Sequence, residues 1–303
     1  MRVGVTGSSG LIGRALVQAL TTRGDEVVRF VRPGAPSTGG AVVRWDPSAH
    51  DVDEDDLRRI GPLDAIVNLA GAGIGDRRWT AARREAIVRS RVAATDLVVE
   101  IIERLPGGLT ALVSSSAVGY YGSHPEGVVD ETSPAGTDFL ALVCRQWEDA
   151  AIQAQRYGTR VAVVRTGVVL SAAGGALARQ LPLFRRGLGG PLSSGNQWVS
   201  PISLTDEVRA IQWILDTDQE GPHNMVAPTA TTNAGLTAAL ASALGRRAVL
   251  RVPAMALEIA LGRGLARGAV LASQQVQPRR LLDQGFVFQH PDVRAIVTAA
   301  LAS

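Results

Sequence analysis

Three glycines in GxxGxxG spacing, Gly7, Gly10 and Gly13, lie in the segment TGSSGLIG (residues 6–13), directly after a short apolar run and directly before a helical periodicity. Glycine at such places removes Cβ atoms from a tight turn and lets the backbone approach a diphosphate. The helix that follows adds unpaired amides and the positive end of its dipole. The chemistry this predicts is dinucleotide binding by Gly7, Ser8, Ser9, Gly10, Leu11, Ile12 and Gly13; the bland alternative is an ordinary strand–helix turn. Roughly 20 residues further on, NAD binders carry an acid that holds the adenosine ribose. Here the sequence reads VVRFVRPG and offers Arg32 at the strand's end, with Asp25 and Glu26 at the opposite end. A guanidinium there would pair with a 2′-phosphate, so the expected cofactor is NADP(H) rather than NAD, against the alternative of a solvated loop arginine.

What is missing narrows the chemistry further. The 31 basic residues are all arginine, and the absence of lysine excludes Schiff-base catalysis and a Walker-type phosphate lysine. The net charge is only +3, and the arginines are interspersed with acids, as at Asp55, Asp56, Arg58 and Arg59, which argues for a solvated surface and against nucleic acid. Cys144 is the single cysteine, so no internal disulfide and no thiolate cluster is expected, and it reads as a small buried hydrophobe. His50, His124, His223 and His290 have no ligand spacing, so no metal is predicted.

These groups need a scaffold. Apolar runs over 2–6, 26–31, 41–45, 65–69, 111–115 and 160–165 alternate with helical spacing over 11–23, 78–104 and 139–157. This rhythm predicts an α/β fold, a Rossmann-type doubly wound parallel sheet. Glycines and prolines crowd 174–201, after which 203–216 reads as a helix and 224–226 as a strand. The expected division is an NADP-binding domain over 1–168, with 201–227 returning to it, and a smaller, partly interleaved α+β substrate domain over 169–303, with short strands near 249–252 and 286–288. The opening MRVGVTG reads as a strand rather than a signal peptide, and the apolar stretch 253–272 is broken by Glu258, Arg263 and Arg267. No membrane association and a cytoplasmic location are therefore expected.

Several segments together resemble extended short-chain dehydrogenases, and more narrowly the NAD-dependent epimerase/dehydratase superfamily members that carry a small C-terminal domain. They are TGSSGLIG, WDP at 45–47, NLAGAGI at 68–74, RRW at 77–79, SRVAAT at 90–95 and SSSAVGYYG at 114–122. GLGGPLSSGNQW at 187–198 and QPRRLLDQGFVFQHPD at 277–292 resemble the second domain of that group. The resemblance implies that Asp46 lies by the adenine, that Leu69, Ala70 and Gly71 pass beneath the cofactor, and that Ser114, Arg91 and Glu85 border it. For the last two the alternative is an ion pair on a helix face. It also implies that Ser116 is the catalytic serine, while Leu140 and Cys144 stand where the family's tyrosine and lysine belong. Tyr120, Tyr121 and Glu131 are then the candidates for the missing acid/base. Two functions follow. One is an NADP(H)-dependent oxidoreductase or epimerase acting on a hydroxyl or carbonyl of a small polar substrate, such as a nucleotide sugar. The other is a non-catalytic NADP(H)-binding regulator of a protein partner, associated with division.

Overall fold

In the computed structural model, residues 1–35 and 40–302 are described. The chain opens with β1 (Arg2–Thr6), α1 (Leu11–Arg23), β2 (Glu26–Val31), β3 (Ala41–Asp46), β4 (Asp51–Val52), α2 (Glu54–Ile60) and β5 (Ala65–Asn68). It continues through α3 (Ala81–Arg104), β6 (Ala111–Ala117), β7 (His124–Val129), α4 (Phe139–Ile152) and β8 (Arg160–Thr166). Eight strands form one sheet in the order β12-β8-β6-β5-β1-β2-β3-β4, where β12 is Gly221–Met225. All its ladders are parallel except β3 with β4.

Alternation along the strands explains the layers. In β5 and β6, Ile66 and Leu112 point into one core with α2 and α3, whereas Ala65, Val67, Ala111 and Val113 point into the other. That second core is closed by Leu16 and Leu20 of α1 and by Ile211 and Ile214 of α6 (Leu204–Asp216). Successive strands run to one side of β1 up to β4, and the chain then returns to pair β5 on its other side. This reversal opens a crevice at the carboxyl ends of β1 and β5, where open α/β sheets bind ligands.

Past β8 come β9 (Val168–Leu170), α5 (Gly175–Arg185), β10 (Trp198–Val199) and β11 (Pro201–Ser203), then α6 and β12. The remaining elements are β13 (Thr231–Thr232), α7 (Asn233–Ala243), α8 (Ala254–Leu261), α9 (Arg263–Leu265), β14 (Gln274–Val276), α10 (Arg279–Asp283) and α11 (Val293–Ala302). A separate core joins Leu177 and Leu181 of α5, Leu236 and Leu240 of α7, and Ile296 and Val297 of α11. β14 pairs with β7, which binds this late part of the chain to the strand that follows β6.

Two expected strands are absent. Val252 makes only an isolated bridge to Leu192, and residues 286–288 form no strand. The Phe-Val-Phe alternation there has a different cause: Phe286 packs edge-on against Trp213 of α6 and against Phe288, with centroid separations of 5.9 and 4.8 Å. Helix α3 begins three residues later than its periodicity suggests, because the Thr80 hydroxyl caps it by accepting from Arg83 N at 3.1 Å. Among the described residues no helix is long and apolar enough to cross a membrane, and no His, Cys, Asp and Glu cluster is placed to hold a metal ion.

Candidate cofactor cleft and the polar wall beside it

The glycine loop fills the turn between β1 and α1 at the crevice. Gly7 adopts φ +61°, and a Cβ there would lie 2.6 Å from the Leu69 carbonyl oxygen at the end of β5. A Cβ on Gly13 would overlap the Gly7 carbonyl oxygen and lie 2.8 Å from Ser8 Cα. The turn is thus a cradle that side chains would close, shaped for a diphosphate. Gly10 is the N-cap of α1 and brings no side-chain cap, so the first amides of this 13-residue helix stay available to an anion. Ser8 is buried and Ser9 exposed, Ile12 is half-buried, and Leu11 packs under Gly174 and Gly175 of the later domain.

Beneath the loop lies a buried polar knot that the sequence reading missed. The Thr6 hydroxyl donates to Asn68 Oδ1 at 2.7 Å and accepts from the Leu69 and Ala70 amides at 3.0 and 3.2 Å. Asn68 Nδ2 donates to Thr95 Oγ1 at 2.9 Å and reaches Ser114 Oγ at 3.5 Å. Thr6, Asn68, Thr95 and Ser114 are all fully buried. Ser114 is thus buried within this knot, and the Leu69 and Ala70 amides are already engaged. The knot fastens the ends of β1, β5 and β6 and so fixes the cleft floor.

Arg32 follows β2 directly and is 70% exposed, and its Nη1 lies 3.8 Å from Asp46 Oδ1 at the end of β3. Hydrogen bonds from the Ser48 hydroxyl and amide hold the Asp46 carboxyl below its usual range, so it faces Arg32 as an anion. Arg91 reaches from α3 to the carbonyls of Ala72 and Ile87 at 2.9 and 3.2 Å. Its guanidinium lies 4.9 Å from the Trp147 ring, and its stem passes 3.3 Å from where a Gly71 Cβ would be. Glu85 is not brought to it. Six residues on a helix turn a side chain far round the axis, and Glu85 instead meets Arg89 one turn on, at 3.9 Å. The expected pairing of Glu85 with Arg91 is corrected by this.

The strand carrying Ser116 is walled by charge. Ser116 donates to Glu148 Oε1 at 2.6 Å, and Glu148 takes a two-pronged contact from Arg165, Nε at 3.0 Å and Nη2 at 2.8 Å. Arg165 Nη1 donates to the Tyr121 hydroxyl at 3.1 Å, and Tyr121 donates to Asn224 Oδ1 at 2.6 Å. The Asn224 amide in turn donates to Glu131 Oε1 at 2.9 Å, and the Arg280 amide approaches Glu131 Oε2 at 3.4 Å. Tyr121 has no exposed surface, and burial pushes its pKa up to about 12. Tyr121 and Glu131 are corrected from acid/base candidates to supports of the wall, since the hydroxyl proton and both carboxylate oxygens are committed inside the protein. Tyr120 differs: it is half-buried, its ring lies 3.4 Å from the Arg165 guanidinium carbon, and its hydroxyl forms no hydrogen bond among the described residues. Cys144 is buried against the Ala117 carbonyl, with its thiol pushed up to about 11 by burial, which leaves it a packing residue. The Glu148–Arg165 pair had a signal in the sequence, an arginine inside the apolar run VAVVRTG.

A family model for the NAD-dependent epimerase/dehydratase family matches residues 3–235. The chain belongs to that family. Residues 252–300 match a domain of unknown function, DUF1731. Epimerase family protein Mb2239 of Mycobacterium bovis is 42% identical over 289 residues, covering 95% of this chain and 93% of that protein. The crystal structure of human epimerase family protein SDR39U1 (isoform 2) with NADPH is 35% identical, covers both chains entirely and superposes with a TM-score of 0.89. Thermus thermophilus UDP-glucose 4-epimerase in complex with NAD shares the fold at 20% identity, covering both chains entirely with a TM-score of 0.75. This family member therefore has an NAD(P)-binding fold of the short-chain dehydrogenase type, and its cleft is that of a nucleotide cofactor.

Proposed function

We propose that this family member is an NADP(H)-dependent oxidoreductase or epimerase-like enzyme acting on a hydroxyl or carbonyl group of a small polar substrate, such as a nucleotide sugar. The observation that carries the reading is the cradle at Gly7 and Gly13, open at the end of α1 and braced by the Thr6–Asn68 knot. When bound, the nicotinamide would supply hydride chemistry, and the protein would supply placement and the proton. Arg32 selects the 2′-phosphate, a reading supported by its place after β2 and by the NADPH present with the human relative. Ser8, Ser9 and the first amides of α1 face the diphosphate. Arg91 spends only one of its guanidinium nitrogens on carbonyls and has no carboxylate partner among the described residues, so it brings an uncompensated cation to the cofactor's nicotinamide side.

For the proton, Tyr120 is the candidate with an uncommitted hydroxyl. Ser116 keeps its oxygen lone pairs while its proton is given to Glu148, so it would orient a substrate hydroxyl by accepting from it. That same committed proton favours the second reading, a regulator that binds NADP(H) without turnover.

Fluorescence titration with NADPH and NADH tests the first step. Tight NADPH binding is expected, weakened toward the NADH level in Arg32→Ala, and binding of neither cofactor would overturn both readings. A nicotinamide absorbance screen of carbonyl compounds and nucleotide sugars then separates them. An enzyme loses turnover in Tyr120→Phe and Ser116→Ala with NADPH affinity intact, whereas a regulator has no turnover to lose.

A further inference from the structure

Away from the cleft, the stretch 246–263 is covered by little else in the chain. Helix α8 reads AMALEIAL, almost wholly apolar, yet none of its residues is buried. Met255 and Ile259, one turn apart on the same side, are 73% and 68% exposed, and Val249 just before the helix is 72% exposed. Leu250 is also exposed, and its amide reaches the Gly189 carbonyl at 3.4 Å, which sets the turn carrying exposed Leu183 and Leu188 beside it. Single exposed leucines are ordinary on a protein surface; large apolar side chains gathered over one short stretch mark a surface that meets something.

The charge around this patch identifies what it meets. Arg185, Arg186, Arg246, Arg247, Arg251 and Arg263 are all exposed, and none forms an ion pair with a carboxylate among the described residues. The one acid in 246–263, Glu258, is taken by Arg267 at 2.6 Å. Arg58 and Arg59, by contrast, sit beside Asp55 and Asp56, and what sets this surface apart is the gathering of several such cations around exposed apolar side chains. A second copy docked about a twofold axis through this patch would set one cluster of cations against another with a single acid on each, already paired, between them. Nucleic acid is a poorer match, because 246–263 contains no aromatic ring on which a base could stack.

We infer that residues 246–263, with the adjoining turn at 183–188, form a docking surface for an anionic lipid bilayer. Helix α8 lies in the headgroup layer, Met255 and Ile259 enter the acyl boundary, and the arginines meet lipid phosphates. No segment spans the membrane. Arg78 donates to the Ile259 carbonyl, and the Trp79 indole on the same loop donates to the Ile74 carbonyl at 2.8 Å, so the docking helix is tied to the segment leaving β5 at the cleft.

The test is co-sedimentation of the full chain with phosphatidylcholine vesicles and with phosphatidylcholine–phosphatidylglycerol vesicles, at low and high salt. Pelleting with the anionic vesicles, reversed by salt and absent with the neutral ones, is expected. Arg246→Glu/Arg247→Glu/Arg251→Glu should weaken it by on the order of a hundredfold, and Met255→Ser/Ile259→Ser by roughly tenfold or more. The control Arg145→Glu/Arg156→Glu, on α4 and the turn that follows it, should leave it unchanged, with thermal melting verifying that each variant folds. Failure of the wild-type chain to pellet with either vesicle would overturn the inference, as would equal pelleting with neutral vesicles. It would also be overturned by a dimer that Met255→Ser/Ile259→Ser disrupts, or by salt-sensitive DNA binding, in either case without vesicle binding.

Discussion

Arg32 and Asp46 meet just past the ends of neighbouring strands as a loose pair. Their 3.8 Å contact is solvent-exposed, so it contributes little to stability. Its consequence is for binding: in the function proposed above, a 2′-phosphate would share Arg32 with a carboxylate that its Ser48 hydrogen bonds keep ionised. Replacing Asp46 by Asn keeps the shape and removes the competing charge. Asp46→Asn is therefore expected to tighten NADPH by up to about tenfold, since it removes one nearby like charge, while NADH changes far less. Parallel fluorescence titrations measure this directly, and an equal change for both cofactors would place the 2′-phosphate away from Asp46. The place of Arg32 directly after β2 was legible because the second strand of such a fold begins a short, fixed distance from the glycine loop. The Thr6–Asn68–Thr95 knot was not, because each strand or helix contributes one polar residue that means nothing until the sheet register brings them together.

At the scale of elements, two buried titratable groups oppose one another across pH. Glu207, in the first turns of α6, has no exposed surface; Thr166 donates to one of its oxygens at 2.7 Å and the other has no partner. Burial raises its pKa to about 8 from 4.5. The folded chain thus keeps a proton between those values that the unfolded chain has lost, so stability falls as pH rises through that window and levels off above it. His223 in β12 is pushed down to about 4 from 6.5, first by burial and then by the Arg280 charge. There the unfolded chain binds the extra proton, and stability rises with pH between those two values. Glu207→Gln should remove the alkaline loss: its unfolding free energy relative to the wild type, from denaturant melts, should climb from about pH 5 to about pH 8, by on the order of a few kcal/mol at the upper end. A difference that stays flat with pH would mean that Glu207 ionises without penalty. α6 itself was readable as a helix over 203–216, as β1 was from its short apolar run and α1 from the helical spacing over 11–23. The helical C-terminal part yielded less, because short apolar alternations such as 286–288 arise equally from strands and from loops that bury two aromatic rings on a helix.

For the whole molecule, the question is whether the part matching the epimerase model, residues 3–235, can stand without the rest. Leu281 and Phe286 complete the core beneath α1 and α6, while Ile296 and Val297 complete the one between α5 and α7. The late chain also closes hydrogen bonds of β7, where the Gln277 amide donates to the Val129 carbonyl, and of β12 at the main sheet's edge, where Asn224 Nδ2 donates to the Gln277 carbonyl at 2.9 Å and Arg280 to the Pro222 carbonyl at 3.1 Å. At roughly 1.5–3 kcal/mol for each large buried side chain, loss of those four removes on the order of 6–12 kcal/mol. That is comparable with the entire margin of about 5–15 kcal/mol by which folded domains exceed their unfolded chains. The polar groups of Glu131 and Asn224 would lose partners at the same time. Residues 1–235 expressed alone are therefore expected to lack a cooperative melting transition and to expose apolar surface to a hydrophobic dye, even though every residue of the glycine loop is retained. A truncated chain that melts sharply and binds NADPH like the full one would show that the C-terminal part is an appendage to a self-sufficient sheet. Failure of the truncated chain on both counts would mean that the cofactor cleft is built by the whole chain, and that substitutions in α10 or α11 can abolish binding at a loop they never touch.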